Sequence, residues 1–209
     1  GFDGGAIEID RFMWGAGHIG YGADYNKVHH NISIENAGFL EPEGLDNTPG
    51  NNYMEVYSNY SDDYKWFISD EDLNYSTIRN NTSLRVLPWT KSWHMVLAVQ
   101  GIEDKLLNNV FIVSDSLKVI EYPEFDMERK HNLYYSHDKT STDPIGKLKD
   151  STEEVLTSWK KLSPKLYSKR GKILRPEPNK KGIIKAWVPT DTKYEFESFT
   201  ITLPQSLHR

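Results

Sequence analysis

Apolar residues recur at every second position in several short stretches, and that alternation predicts strands with one face in a core and the other in water. Ala6-Ile7-Glu8-Ile9-Asp10 is the first such stretch. In the next, Val28, His30, Ile32 and Ile34 share one face, while His29, Asn31, Ser33 and Glu35 share the other. Met54-Glu55-Val56-Tyr57, Tyr64 to Ile68, Leu84-Arg85-Val86-Leu87 and Leu117 to Tyr122 read as further strands, with Asn59 to Asp63 as a turn. Trp93 to Val99 and Val110 to Val113 are continuous apolar runs, the pattern of strands covered on both faces. Ile183 to Val188 precedes the turn Pro189-Thr190-Asp191-Thr192, and Tyr194 to Leu203 then alternates with a change of parity at Glu197-Ser198. That shift predicts a bulge, or a crossing between sheets, in a long closing strand.

One helix is expected. Ser151-Thr152-Glu153-Glu154 has capping-box spacing, and Val155, Leu156, Trp159 and Leu162 follow on one face before Pro164. Polar segments at 41–52 and 123–150 read as surface excursions, and Phe12 to Gly22 as a glycine-punctuated aromatic loop whose Gly15-Ala16-Gly17 lacks the full dinucleotide spacing. No internal repeat stands out. The expectation is an all-β single domain spanning 1–209: a two-sheet sandwich or jelly roll of about eight strands, with one short helix and long loops.

Composition sharpens this only at the surface. Hydrophobic residues are 37 % of the chain and aromatics 12 %, with twelve Tyr and six Trp, which suits a β-rich fold with aromatic contacts. The absence of Cys removes disulfides, thiolate nucleophiles and zinc–thiolate sites. No run approaches the roughly 20 apolar residues of a membrane span, so no membrane insertion is expected. The first residue is Gly1 and no signal sequence is visible, which reads as a processed or trimmed product. Net charge is −5, yet residues 160–185 hold ten Lys or Arg against the single acid Glu177. The candidate contact residues there are Lys160, Lys161, Lys165, Lys169, Arg170, Lys172, Arg175, Lys180 and Lys181. They would face nucleic acid or an acidic neighbour, or simply form a solvated loop.

Motifs for chemistry are sparse. His29-His30 is the obvious metal candidate, but neighbours on a regular strand point to opposite faces, and His18 or Asp24 could join them only through loop folding. No metal site, cofactor or catalytic residue is expected. Asp62-Asp63 and Asp70-Glu71-Asp72 lack the helix-loop-helix calcium pattern. No serine-hydrolase elbow, zinc-protease motif or phosphate-cradling loop is present. Carboxylate pairs for glycoside hydrolysis are defined in space and stay open. Trp14 and Trp89, near loops or strand ends, are candidate sugar-stacking platforms. Asn31-Ile32-Ser33, Asn59-Tyr60-Ser61, Asn74-Tyr75-Ser76, Asn80-Asn81-Thr82 and Asn81-Thr82-Ser83 fit the glycosylation pattern and are read as coincidence in a chain rich in Asn and Ser.

The order Trp159-Lys160-Lys161-Leu162-Ser163-Pro164, then Gly182 to Val188, then Tyr194-Glu195-Phe196-Glu197, is similar to the end of the capsid proteins of densoviruses, the invertebrate branch of the parvoviruses. Val28 to Ala37 followed by Tyr53 to Ile68 resembles an early strand pair of that jelly roll. The resemblance implies an eight-stranded jelly roll with two facing four-stranded sheets, and a coat subunit that assembles with copies of itself around single-stranded DNA in the virion. Family members are usually longer, and no catalytic residue carries over from them. The expected function is therefore a non-enzymatic, self-assembling capsid subunit. The alternative is a carbohydrate-binding β-sandwich module.

Overall fold

The computed structural model describes residues 5–8, 24–42, 52–70, 73–87, 95–99, 101–114, 118–120, 127–138 and 148–204. Its strands are short, and through the first fifteen each successive strand belongs to a different sheet. The first rung is β1 (Gly5–Glu8), β2 (Lys27–His29) and β3 (Ile32–Ile34). The second is β4 (Gly38–Glu41), β5 (Glu55–Tyr57) and β6 (Tyr60–Asp62), and the third β7 (Ile68–Asp70), β8 (Thr77–Arg79) and β9 (Thr82–Arg85). The fourth is β10 (Met95–Val99), β11 (Lys105–Leu107) and β12 (Val110–Val113); the fifth is β13 (Lys118–Ile120), β14 (Glu128–Lys130) and β15 (Leu133–Ser136). β16 (Glu154–Leu156) adds one more strand beside β15.

First strands of the rungs pair in parallel as sheet A, second strands as sheet B and third strands, with β16, as sheet C. This is a three-sided parallel β-solenoid in which each rung packs on its neighbours. The chain is mostly β, as its alternation predicts, but the sheets are parallel and coiled, so the expected antiparallel jelly roll is corrected. The expectation of no internal repeat is corrected with it.

Asparagine makes the rungs stack. At the corner between sheets B and C, residues with positive φ (His30, Ser58, Asn80, Asn108 and His131) turn the chain sharply. Each is followed by a ladder asparagine: Asn31, Asn59, Asn81, Asn109 and Asn132. The side-chain oxygen of Asn81 accepts from both the backbone N–H and the Nδ2 of Asn59, each at 3.0 Å. Asn81 in turn donates its N–H (3.0 Å) and Nδ2 (2.9 Å) to Asn109 Oδ1, and Nδ2 also reaches the Val56 carbonyl at 2.9 Å. Asn109 repeats the pattern onto Asn132. Asn59, Asn81, Asn109 and Asn132 are buried, so every one of these bonds is shielded from water.

Glu153 ends the ladder as a pure acceptor. Its Oε1 takes Asn132 Nδ2 at 3.1 Å and the Tyr134 hydroxyl at 2.6 Å. Its Oε2 takes the Lys149 N–H at 3.1 Å and faces Arg129 Nη2 at 3.5 Å, in a fully buried ion pair. Burial, with the Glu153 carboxylate beside it, keeps the Tyr134 phenol well above its ordinary range.

Two cores result. Inside the solenoid lie Val28, Phe39, Met54, Val56, Phe67, Ile78, Leu106 and Phe111. Phe39 stacks on Phe67 with centroids 5.2 Å apart, and Phe111 on Tyr134 at 5.7 Å. Outside sheet C, Tyr60, Leu84, Val110, Ile112, Leu133 and Tyr135 are covered by the C-terminal segment through Leu162, Leu166, Tyr167 and Ala186. Full burial of each such side chain is worth about 1.5–3 kcal/mol. At β12 the sheet is therefore covered by apolar side chains on both faces, which is why Val110–Val113 reads as a continuous run.

The cap contains a 3-10 turn at Trp159–Leu162, where Ser158 Oγ accepts from the Lys160 N–H. The antiparallel hairpin β17 (Ile183–Pro189) and β18 (Phe196–Thr202) follows, with β17 lying against β6 and β9. No bulge interrupts it: Trp187 faces Ser198 and Val188 faces Glu197 in unbroken register. Nor does the expected helix form. Glu154–Leu156 extends sheet C instead, because the edge of β15 offers a full ladder of backbone partners. Among the described residues no helix is long and apolar enough to cross a membrane.

Several other expectations shift for the same reason. The stretch Val28 to Ile34 is two strands broken at His30-Asn31, so Val28 enters the solenoid core whereas Ile32 and Ile34 pack outside it. Residues 60–62, expected as a turn, form β6, and within the expected surface excursion Tyr134 and Tyr135 are buried in β15. The loop at 12–22 lies outside the described residues.

Glu154 fastens the hairpin. Burial alone would raise its carboxyl, but hydrogen bonds from Lys161, Tyr194 and Lys193 hold it down at about 2, against an ordinary 4.5. A depressed carboxyl stabilises the fold above pH ~4.5 and loses that contribution as pH falls toward 2. The protection of amides in β17 and β18, taken relative to their intrinsic exchange rates, should therefore fall across this window before that of the rungs. Equal protection at pH 5 and pH 2.5 would show that Glu154 is not the fastening.

Candidate functional site

The corner between sheets A and B carries a row of tyrosines. Tyr25, Tyr53 and Tyr75 all have positive φ (62°, 58° and 55°) at equivalent positions of successive rungs. Their N–H groups bond to the Asn52, Asn74 and Ile102 carbonyls of the following rungs. Rings 25 and 53 stack at 5.0 Å and 8°, and rings 53 and 75 at 5.2 Å and 17°. All three are exposed, at 71 %, 45 % and 44 %. A left-handed backbone costs a non-glycine residue roughly 1–2 kcal/mol, and ring stacking of this kind returns about 0.5–1.5 kcal/mol per pair. Asn or Gly would turn the corner at lower cost. The aromatic row is thus a choice of surface chemistry rather than of turn chemistry.

The outward face of sheet B continues from that corner. Register aligns Lys27, Glu55, Thr77, Lys105 and Glu128 in one column, and His29, Tyr57, Arg79, Leu107 and Lys130 in the next. Lys27 pairs with Glu55 at 2.8 Å, Arg79 approaches the same carboxylate at 3.8 Å, and Lys130 pairs with Glu128 at 2.7 Å. The hydrogen bond from Lys27 holds the Glu55 carboxyl below its ordinary range. Tyr57 is sandwiched between the His29 ring at 4.8 Å and the Arg79 guanidinium at 4.5 Å. These columns run along the solenoid axis, parallel to the tyrosine row. The face offers hydroxyl, imidazole, ammonium and carboxylate groups in repeating lines.

His29 and His30 do come together. His30 lies in the left-handed region (φ 55°), outside the strand, so the alternation rule does not govern it. The two Nδ1 atoms are 2.9 Å apart, one donating and the other accepting. His30 also packs edge-on to Phe199 of the cap at 5.2 Å. Among the described residues no group of three or more His, Cys, Asp or Glu could hold a metal ion. Asp24 instead accepts from Asn52 N and Nδ2, both at 3.0 Å, and Asp63 accepts from Asn36 N and Ser61 Oγ.

The basic residues of 160–185 are dispersed over the cap. Lys161 pairs with Glu154. Lys160 is exposed on the 3-10 turn, Lys169, Arg170 and Lys172 lie on the turn around Gly171, and Lys180 and Lys181 lie on the turn before β17. Of the nine candidate contact residues, Lys165 and Arg175 line one shared crevice, and Lys185 of β17 joins them there. Trp14 and Trp89 lie outside the described residues. The surface residues that sequence reasoning missed are Tyr25, Tyr53, Tyr57 and Tyr75; the available signal was their matching place in each rung, two residues ahead of Lys27, Glu55 and Thr77 or at Glu55+2. No family model, curated protein or solved structure matches this chain.

Proposed function

We propose that this chain is a carbohydrate-binding β-solenoid that holds a linear glycan along its axis, across the tyrosine corner and the outer face of sheet B. The observation that carries this reading is the exposed, co-linear row Tyr25–Tyr53–Tyr75, repeating once per rung at 5.0 and 5.2 Å. A polymer of sugar units lies along such a row with one unit near each rung. The inner ring faces are covered by one another, so the row meets a ligand through ring edges and phenol hydroxyls. Tyr25, at its end, offers an open face, consistent with its greater exposure. The ion-paired columns beside it supply hydrogen-bonding groups already held in place.

The coat-subunit expectation drew its structural support from an antiparallel jelly roll, and the parallel sheets remove that link. The surface favours the sugar-binding alternative, relocated from Trp14 and Trp89 to the tyrosines. A glycan array followed by titration of the best hit tests it. Tyr53→Ala with Tyr75→Ala is expected to weaken binding at least tenfold while the far-ultraviolet spectrum stays unchanged. Absence of binding to every linear glycan, or unaltered affinity in the double variant, would overturn the reading.

A further inference from the structure

A second site is built between sheet C and the cap, away from the tyrosine row. We propose that the crevice bounded by Tyr60, Lys165, Arg175, Lys185 and Trp187 binds a tetrahedral oxyanion group, phosphate or sulfate. The crevice has a volume of about 130 Å³, ample room for such a group.

Its two lysines are gathered at one aromatic ring, with no carboxylate lining the crevice beside them. Lys165 Nζ sits 3.7 Å and Lys185 Nζ 4.6 Å from the centroid of the same Trp187 ring. An exposed ammonium gains little from an aromatic face, while two ammonium groups gathered about one indole repel each other. An anion in the crevice that both residues line is attracted by each of them. Arg175 adds a guanidinium to the same wall. Its Nε is held by Asp62, which does not line the crevice, so the remaining N–H groups of the fork are left for a ligand.

The floor supplies the second, independent sign. The Tyr60 hydroxyl is buried and has no hydrogen-bond partner. An orphaned buried donor is costly to the fold, and Tyr60 lines this crevice, where a ligand oxygen would satisfy it. Burial, with Asp62 nearby, keeps this phenol protonated far above its ordinary range, so it is a donor at any working pH. Two ammonium groups, a fork of guanidinium N–H and one phenol O–H outnumber the two oxygens of a carboxylate. They match the three or four oxygens of phosphate or sulfate.

The test is calorimetric titration of the whole chain with inorganic phosphate and with sulfate, each against chloride at constant ionic strength. Saturable binding is expected, weakened at least tenfold by Lys165→Gln or Lys185→Gln, severalfold by Tyr60→Phe, and unaffected by Lys180→Gln. Both lysines are partly or fully exposed, so their replacement leaves the fold intact. Glucose 6-phosphate and glucose 6-sulfate form the second arm: tighter binding than the inorganic ions assigns the site to a substituent on a sugar, and equal or weaker binding assigns it to the free ion. No saturable binding beyond chloride, or equal affinity in the Lys165→Gln and Lys185→Gln variants, would overturn the proposal. Tyr53→Ala with Tyr75→Ala leaves this site unchanged, so the two readings fail separately.

Discussion

Replacing Asn81 with alanine is expected to lower stability by about 3–5 kcal/mol, since each buried polar group left without a partner costs about 1–3 kcal/mol. The variant strands the Asn59 N–H and takes one hydrogen bond each from Asn59 Nδ2, the Val56 carbonyl and Asn109 Oδ1, all in the middle of the stack; Asn59 Nδ2 keeps the Val28 carbonyl and Asn109 Oδ1 keeps the backbone N–H of residue 81. For a chain of this size that corresponds to a fall in Tm on the order of 10 °C. Asn81→Asp separates the ladder from mere side-chain size. Aspartate still accepts from Asn59, but its second oxygen then faces Val56 O and Asn109 Oδ1, two acceptors. Protonation restores one donor, so the deficit of Asn81→Asp should shrink as pH falls from 7 toward 4, while that of Asn81→Ala stays constant. A Tm for Asn81→Ala within 2 °C of the parent would show that the ladder contributes little.

The second large effect is a pH dependence lodged at Asp104. This side chain follows Glu103, which turns the corner between sheets A and B with a φ of 57°. Its Oδ1 accepts the Ser76 N–H at 2.8 Å, and its Oδ2 is buried without a partner. The reason lies across Gly101: a Cβ placed there would sit 1.5 Å from the Leu73 carbonyl oxygen and 1.8 Å from Asp104 Oδ2. The two oxygens thus face each other within hydrogen-bonding reach, with no hydrogen between them when the carboxylate is ionised. Burial pushes the Asp104 carboxyl up to about 7 against an ordinary 3.8, although the Ser76 N–H favours the charged form. The protonated acid donates to Leu73 O and removes the conflict.

The sign follows from linkage. Between pH ~4 and ~7 the folded chain holds a proton that the unfolded chain has released, so stability is fully present below pH ~4 and is lost as pH rises through 7. A gap of this size is worth ~4 kcal/mol. Asp104→Asn keeps the acceptor for Ser76 and gives Leu73 O a permanent donor. Denaturation midpoints measured from pH 4 to 8 should fall for the parent and fall less for Asp104→Asn, with the variant the more stable at pH 8. Asp62 and Asp63 are also raised by burial and tilt both curves alike, so the difference between the curves isolates Asp104. Parallel curves would refute the assignment.

The repeat behind both predictions was present in the residues. Asn31-Ile32-Ser33, Asn59-Tyr60-Ser61 and Asn81-Thr82-Ser83 resemble glycosylation acceptors because every rung begins sheet C with a ladder asparagine, and the first three place a small serine two positions on. Their separations of 28 and 22 residues, continued by 28 and 23 to Asn109 and Asn132, mark the circumference of each rung. The period varies because corners absorb extra residues, and in the later rungs Phe111 and Tyr134 take the serine position. That drift hides the repeat from a fixed-interval search. The helix expected after Ser151 failed for another reason: its periodicity was genuine, yet the open edge of β15 offered backbone partners that a solitary helix in that place would forgo.

By itself the order of residues determined that this chain would be built from short extended segments, because alternation and β-branched content act within a few neighbours. It also determined that Val110–Val113 would be covered on both faces. Only the tertiary structure decided the direction of those segments. A two-residue alternation is the same whether the adjacent strand runs parallel or antiparallel, and direction is set by where the corners send the chain. The tertiary structure likewise made the candidate site: tyrosines in three separate turns become one continuous row only when successive rungs stack at the spacing of hydrogen-bonded strands.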